Sequence, residues 1–87
     1  MENILFDTPM VYPNKNGKWS HLVASDIKTL HIFAESIGLK KHWFQNKKNK
    51  NQPHYDLPEY LVDIVKKHGA IQVQRKELFL FLKANYS

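Results

Sequence analysis

Two stretches of helical periodicity, each closed by a glycine, constrain this chain more than any other feature. In the first, Ile27, Leu30, Phe33, Ala34 and Ile37 share one face and Gly38 follows. In the second, Leu57, Leu61, Ile64 and Val65 recur as far as Lys67-His68, and Gly69 follows. Setting Gly38 against Gly69 places Ser25 on Asp56, Leu30 on Leu61, Phe33 on Ile64 and Ala34 on Val65. Each unit then reads as cap, helix, glycine, strand.

Local chemistry supports those units. Ser25 is a good N-cap for the first helix. Asp56 followed by Glu59 reads as a capping box for the second, with Pro58 in the first turn, where a missing N–H costs little. Ile4-Leu5-Phe6 before Asp7-Thr8-Pro9 reads as a short buried strand ending in a turn, and Pro13 to Lys18 as a loop. Lys40 to Gln45 reads as a short strand, Ala70 to Gln74 as another, and Arg75 to Tyr86 as a helix packed on both sides. Trp19 to Ala24 fits either class. The order β-α-β-α-β-α predicts an α/β fold: a small three-stranded, largely parallel sheet with two right-handed crossover helices and a C-terminal helix.

At 87 residues the chain suits a single compact domain over 1–87. It contains no cysteine, which removes disulfides, thiolate metal sites and cysteine nucleophiles. The residues after Met1 lack the basic flank and apolar length of a signal peptide, and no apolar run approaches a membrane span, so a cytoplasmic protein is expected. The net charge of +5 is unevenly spread. No acidic residue stands between Glu35 and Asp56, whereas Lys40, Lys41, Lys47, Lys48 and Lys50 do, and residues 46–53 read as a mobile basic loop.

Chemistry-bearing residues gather before the expected helix starts. His21 precedes the first helix, and His54-Tyr55-Asp56 precede the second. In parallel sheets, ligands bind beyond the strand ends near helix N-termini. A small anionic or nucleotide-like ligand, bound or hydrolysed, fits this inventory. His54 and His21 supply acid–base groups, with Asp56 or Asp7 orienting an imidazole. Trp43 or Tyr55 would stack on a ring of the ligand and helix N-termini would hold its anionic group, while His31, beside the apolar face of the first helix, reads by periodicity as a boundary residue. A metal version would take three or four ligands from His21, His31, His54, Asp7 and Asp56, but their spacing matches no known metal motif, so a metal is not favoured and no other cofactor is expected. A second reading is nucleic-acid binding, with Lys47, Lys48 and Lys50 on phosphates and the neighbouring aromatics on bases, although no readout motif is present. A third is a phage-encoded interaction protein acting on a host factor, with exposed aromatics as anchors.

The ordered set His21-Leu22-Val23-Ala24, Leu30-His31-Ile32-Phe33-Ala34, Trp43-Phe44-Gln45, His54-Tyr55-Asp56 and Gly69-Ala70 resembles a small uncharacterised family of bacteria and their phages, domain of unknown function four-zero-three-one. The resemblance runs from Ile4 to Leu78. It implies that His21, His31, Trp43, Gln45, His54, Tyr55 and Asp56 are the family's polar and aromatic signature, and that Asp7 is the acid closing its first strand. Two positions depart from the pattern. Ser25 stands where the family usually has an acid, and Glu59-Tyr60-Leu61 stand where it has basic residues.

Overall fold

The computed structural model describes residues 3–46 and 52–86. Its elements, in order, are β1 (Ile4–Asp7), β2 (Met10–Val11), β3 (Lys18–Ala24), α1 (Ile27–Ser36), β4 (Phe44–Gln45), β5 (His54–Pro58), α2 (Val62–Lys67), β6 (Ile71–Val73) and α3 (Arg75–Tyr86). Short 3-10 turns at Lys41–Trp43 and Glu59–Leu61 lead into β4 and α2.

The fold is mixed α/β, but its sheet is not the small parallel one that the helix–glycine units predict. Among the described residues six strands form one mixed sheet in the order β4-β5-β3-β1-β6, with β2 pairing on β3. Among these pairings only β1–β6 is parallel. The pairs β1–β3, β2–β3, β3–β5 and β5–β4 are all antiparallel.

Most of the difference comes from two segments. Trp19 to Ala24 becomes the central strand, registered so that Leu5 faces Val23 and His21 faces Asp56. Consequently His54-Tyr55-Asp56 lies within a strand rather than before a helix, and Asp56 caps nothing. The capping-box pattern is a local signal worth about 1 kcal/mol. It loses to a ladder of backbone bonds and to the burial of Tyr55 and Leu57 on one face of the strand. Helix α2 therefore begins only at Val62, and the strand expected over Lys40 to Gln45 shrinks to Phe44–Gln45.

The helix–glycine parallel survives at the helix ends. Gly38 (φ 80°) and Gly69 (φ 102°) take left-handed conformations. In each case the next residue is buried and its N–H reaches back five residues: Leu39 to Ala34 O and Ala70 to Val65 O, both at 2.9 Å. At the start of α1 the cap is Asp26, one residue beyond the expected Ser25. Its carboxylate accepts from the Thr29 N–H at 2.8 Å and from the Thr29 hydroxyl at 2.9 Å. Those bonds hold the Asp26 carboxyl below its usual range.

Strand alternation divides the core in two. Ile4, Phe6, Leu22, Ala24, Tyr55 and Leu57 pack on one side against Leu30 and Ala34 of α1 and Val65 of α2. Leu5 and Val23 face the other way and are covered by Leu78 and Leu82 of α3. Helix α3 packs along one side only, not both, since Phe79 and Leu80 remain exposed. It shields the β1–β3 part of its face and leaves the β3–β5 part open beside it. No helix among the described residues is long and apolar enough to cross a membrane.

Candidate functional site

The α3 side of the sheet is where polar side chains meet. Alternation sends Asp7, His21, His54 and Asp56 to this face, and pairing sets His21 opposite Asp56 and Gln45 opposite His54. One ligating atom from each of His21, His54 and Asp56 falls within 4.8 Å of the others.

Asp7 anchors the group from beneath. It is almost fully buried, and both its oxygens serve His21. One accepts the His21 backbone N–H at 2.7 Å, and the other takes Nδ1 of the ring at 2.9 Å. A carboxylate can only accept here, so the Nδ1 proton of His21 points into Asp7 and its Nε2 is left for the site. His54 is fixed in the same way, its Nδ1 donating to the Gln52 carbonyl at 2.8 Å. Its Nε2 lies 3.4 Å from Asp56 Oδ1. The two imidazole rings meet edge to face, with centroids 5.0 Å apart.

Asp56 is bridged from the loop side by Lys15, whose Nζ lies 3.0 Å from Oδ2 and 4.2 Å from the Trp19 ring centroid. Burial by itself pushes the Asp56 carboxyl up. Hydrogen bonds from His54 and Lys15, together with their charges, outweigh that push and hold it below the usual carboxylate range. Tyr12 packs edge-on against His21 at 5.6 Å. Its buried hydroxyl has no partner among the described residues. Burial raises its pKa, the charges of Asp7 and Asp56 raise it further, and Arg75 acts in the opposite direction.

A cavity of about 450 Å³ opens over this group, walled by His21, Gln45, His54 and Asp56 on the sheet and by Arg75 and Phe79 on α3. A second cavity of about 250 Å³, between Tyr12, Lys15 and Trp19, shares the His21 and Asp56 wall. Two imidazoles and a carboxylate thus occupy one end of a cleft, with the Arg75 guanidinium on its α3 wall. That arrangement can transfer protons, hold an anion at that wall, or hold a cation at the imidazole end.

Of the residues singled out from the sequence, Asp7, His21, Gln45, His54 and Asp56 come together. His31 and Tyr55 do not. They lie on the α1 side of the sheet, paired to each other between His31 Nδ1 and the Tyr55 hydroxyl at 2.6 Å, with Phe44 stacked beside them. Burial, aided by the charge of Glu35, raises the Tyr55 pKa. Trp43 packs edge-on with Trp19 at 5.6 Å, against the α1-side core. His31 and Tyr55 belong to the first core, across the sheet from the cleft, whereas Trp43 packs both on that core and on Trp19, which lines the second cavity. The gathering also lies on a sheet face, not at helix N-termini. Lys47, Lys48 and Lys50 lie outside the described residues, as does most of the expected mobile basic loop.

Sequence reasoning passed over Lys15, Arg75 and Tyr12. Nothing local marks them. Lys15 and Tyr12 reach the site because the β2–β3 hairpin folds over β5, and Arg75 because α3 begins beside the cleft.

The model for the family described as protein of unknown function (DUF4031) matches residues 4–85, nearly the whole chain. The chain belongs to this family. No curated protein and no solved structure matches it. The signature residues that the DUF4031 resemblance implies are thus divided by the sheet. His21, Gln45, His54 and Asp56 face the cleft, His31 and Tyr55 lie on the opposite face, and Trp43 packs on Trp19 beside the second cavity.

Proposed function

We propose that this domain binds a small anionic, nucleotide-like ligand in the cleft between the sheet and α3, and that His21, His54 and Asp56 form the reactive end of the site. The observation that carries this reading is the convergence of those three functional groups, within 4.8 Å, on the wall of a 450 Å³ cavity. Folding a buried carboxylate under His21 costs desolvation energy that core packing alone does not require. Its effect is to fix a ring orientation, which is what acid–base or ligating chemistry needs. Arg75 places positive charge on the α3 wall of the cleft, where a phosphate or carboxylate of the ligand would be held, while Lys15 of the adjoining cavity is paired with Asp56. Phe79 and Trp19 offer aromatic surface beside them. The alternative of nucleic-acid binding rests on Lys47, Lys48 and Lys50, outside the described residues.

The test is a thermal-shift screen with nucleoside phosphates, cyclic nucleotides and ADP-ribose, followed by calorimetric titration of each hit. His54→Ala and Arg75→Gln should each weaken binding at least tenfold, about 1.4 kcal/mol. Absence of any shift across the screen, or variants that bind as tightly as the parent, would remove the reading.

A further inference from the structure

The lone pairs at the imidazole end pose a problem that a proton or a metal cation solves. His54 gives its Nδ1 proton to the Gln52 carbonyl, so a neutral His54 turns an unprotonated Nε2 toward Asp56 Oδ1 at 3.4 Å. Two acceptors at that distance repel unless positive charge lies between them. His21 adds a third: a ring nitrogen of His21 lies within 4.8 Å of the ligand atoms of His54 and Asp56, and with Nδ1 committed to Asp7 the nitrogen available to a ligand is Nε2. Lys15 neutralises Oδ2 of Asp56, and among the described residues no ammonium pairs with Oδ1.

We propose that His21 Nε2, His54 Nε2 and Asp56 Oδ1 bind a divalent transition-metal ion of the zinc, manganese or iron type. The absence of a recognisable metal spacing in the sequence has a simple cause. The ligands come from two antiparallel strands, so strand register, not sequence interval, brings them together. An ion with bonds of about 2.1 Å separates its ligands by roughly 3–4 Å, so side-chain shifts of about 1 Å close the observed 4.8 Å group. Two imidazoles with one carboxylate suit borderline ions and discriminate against magnesium and calcium, which prefer all-oxygen cages. The second shell is already in place. A carboxylate (Asp7) and a backbone carbonyl (Gln52) each hold the far nitrogen of a ligand ring, the arrangement that fixes tautomer and raises ligand basicity. Three protein ligands leave the ion's remaining positions for water or for an oxygen of a bound molecule. The inference rests on the proposed function only for the location of the site, and it makes the two histidines ligands rather than proton carriers.

Protein purified without a histidine tag and stripped with EDTA is titrated with Zn²⁺, Mn²⁺ or Mg²⁺ alone. Co²⁺ is added in parallel, because its visible absorption reports imidazole and carboxylate coordination. One equivalent of Zn²⁺ should bind, with no comparable uptake of Mg²⁺. His54→Gln and Asp56→Asn, each checked for folding by circular dichroism, should abolish the stoichiometric site. Asp7→Asn should weaken it about 10- to 100-fold through the second shell, and His68→Ala, remote from the cleft, should leave it unchanged. No saturable binding, or binding equally retained by His54→Gln and Asp56→Asn, overturns the proposal. Nucleotide binding to the stripped protein without any metal uptake would sink the metal site and leave the ligand reading standing. Stoichiometric metal with no nucleotide response would do the reverse.

Discussion

Replacing Asp7 by Asn separates what this buried carboxylate does for stability from what it does for His21. Asp7 is 1% exposed and accepts twice, from the His21 N–H at 2.7 Å and from the ring Nδ1 at 2.9 Å. An Asn of nearly the same shape can still accept one of these with its carbonyl oxygen. Its NH₂ then faces the other. If it faces Nδ1, that nitrogen must become the acceptor and the ring proton must move to Nε2. One hydrogen bond to a charged group is lost, about 1.5–3 kcal/mol, offset in part because a charge is no longer buried. The net expected loss is about 1–2 kcal/mol, or a fall in Tm of roughly 5–15 °C for a domain of this size. Asp7→Ala, which leaves the His21 N–H and Nδ1–H without partners, should cost about 3–5 kcal/mol. Urea denaturation measures the energies, and long-range ¹H–¹⁵N correlation spectra of the imidazoles read the tautomer directly. The parent should show His21 protonated at Nδ1, and Asp7→Asn should show it protonated at Nε2. An unchanged tautomer in the variant, or a variant as stable as the parent, would refute the argument that Asp7 exists to orient this ring.

Other substitutions probe the two faces of the sheet. Tyr55→Phe removes the bond to His31 and should cost about 1 kcal/mol without altering binding in the cleft, measured by denaturation and calorimetry together. Leu57→Ala, fully buried against α1, should cost about 2–5 kcal/mol, whereas Leu80→Ala on the exposed side of α3 should stay within about 0.5 kcal/mol. Gly69→Ala meets open space but a φ of +102°, so a loss of about 1–3 kcal/mol would be a pure backbone effect, absent if the turn can relax. Because the folded state lowers the Asp56 pKa, its contribution is present above the unfolded value of about 3.9 and disappears as pH falls through the folded one. Denaturation between pH 6 and pH 2, roughly the span over which carboxylates titrate, should therefore show a smaller acid-induced loss in Asp56→Asn than in the parent. Equal losses would mean that Lys15 and His54 do not favour the ionised form.

The sequence by itself determined the elements whose signals are local. The first helix and its apolar stripe, the left-handed glycines that end α1 and α2, the strand at Ile4–Phe6 and the helix at Arg75–Tyr86 all follow from periodicity and backbone preference, which neighbours in the chain decide. It also marked His21, His54, Asp56 and Asp7 by residue type, and Gln45 through the family resemblance. Tertiary structure decided the rest. Asp56 carries the same side chain whether it caps a helix or lies in a strand, and only pairing with Ser20–Leu22 selects the strand. That choice converts a parallel arrangement into a mixed sheet and moves the site from helix ends to a sheet face. Strand parity then sorts the histidines. His21 and His54 share the α3 side because their register is fixed by β3–β5 pairing, while His31 goes to the opposite core with α1. Lys15, Tyr12 and Arg75 join the site through contacts distant in sequence, set by the closing of a hairpin and the docking of a helix. A pattern of residue types has no access to such contacts, because their energy exists only once the sheet has formed.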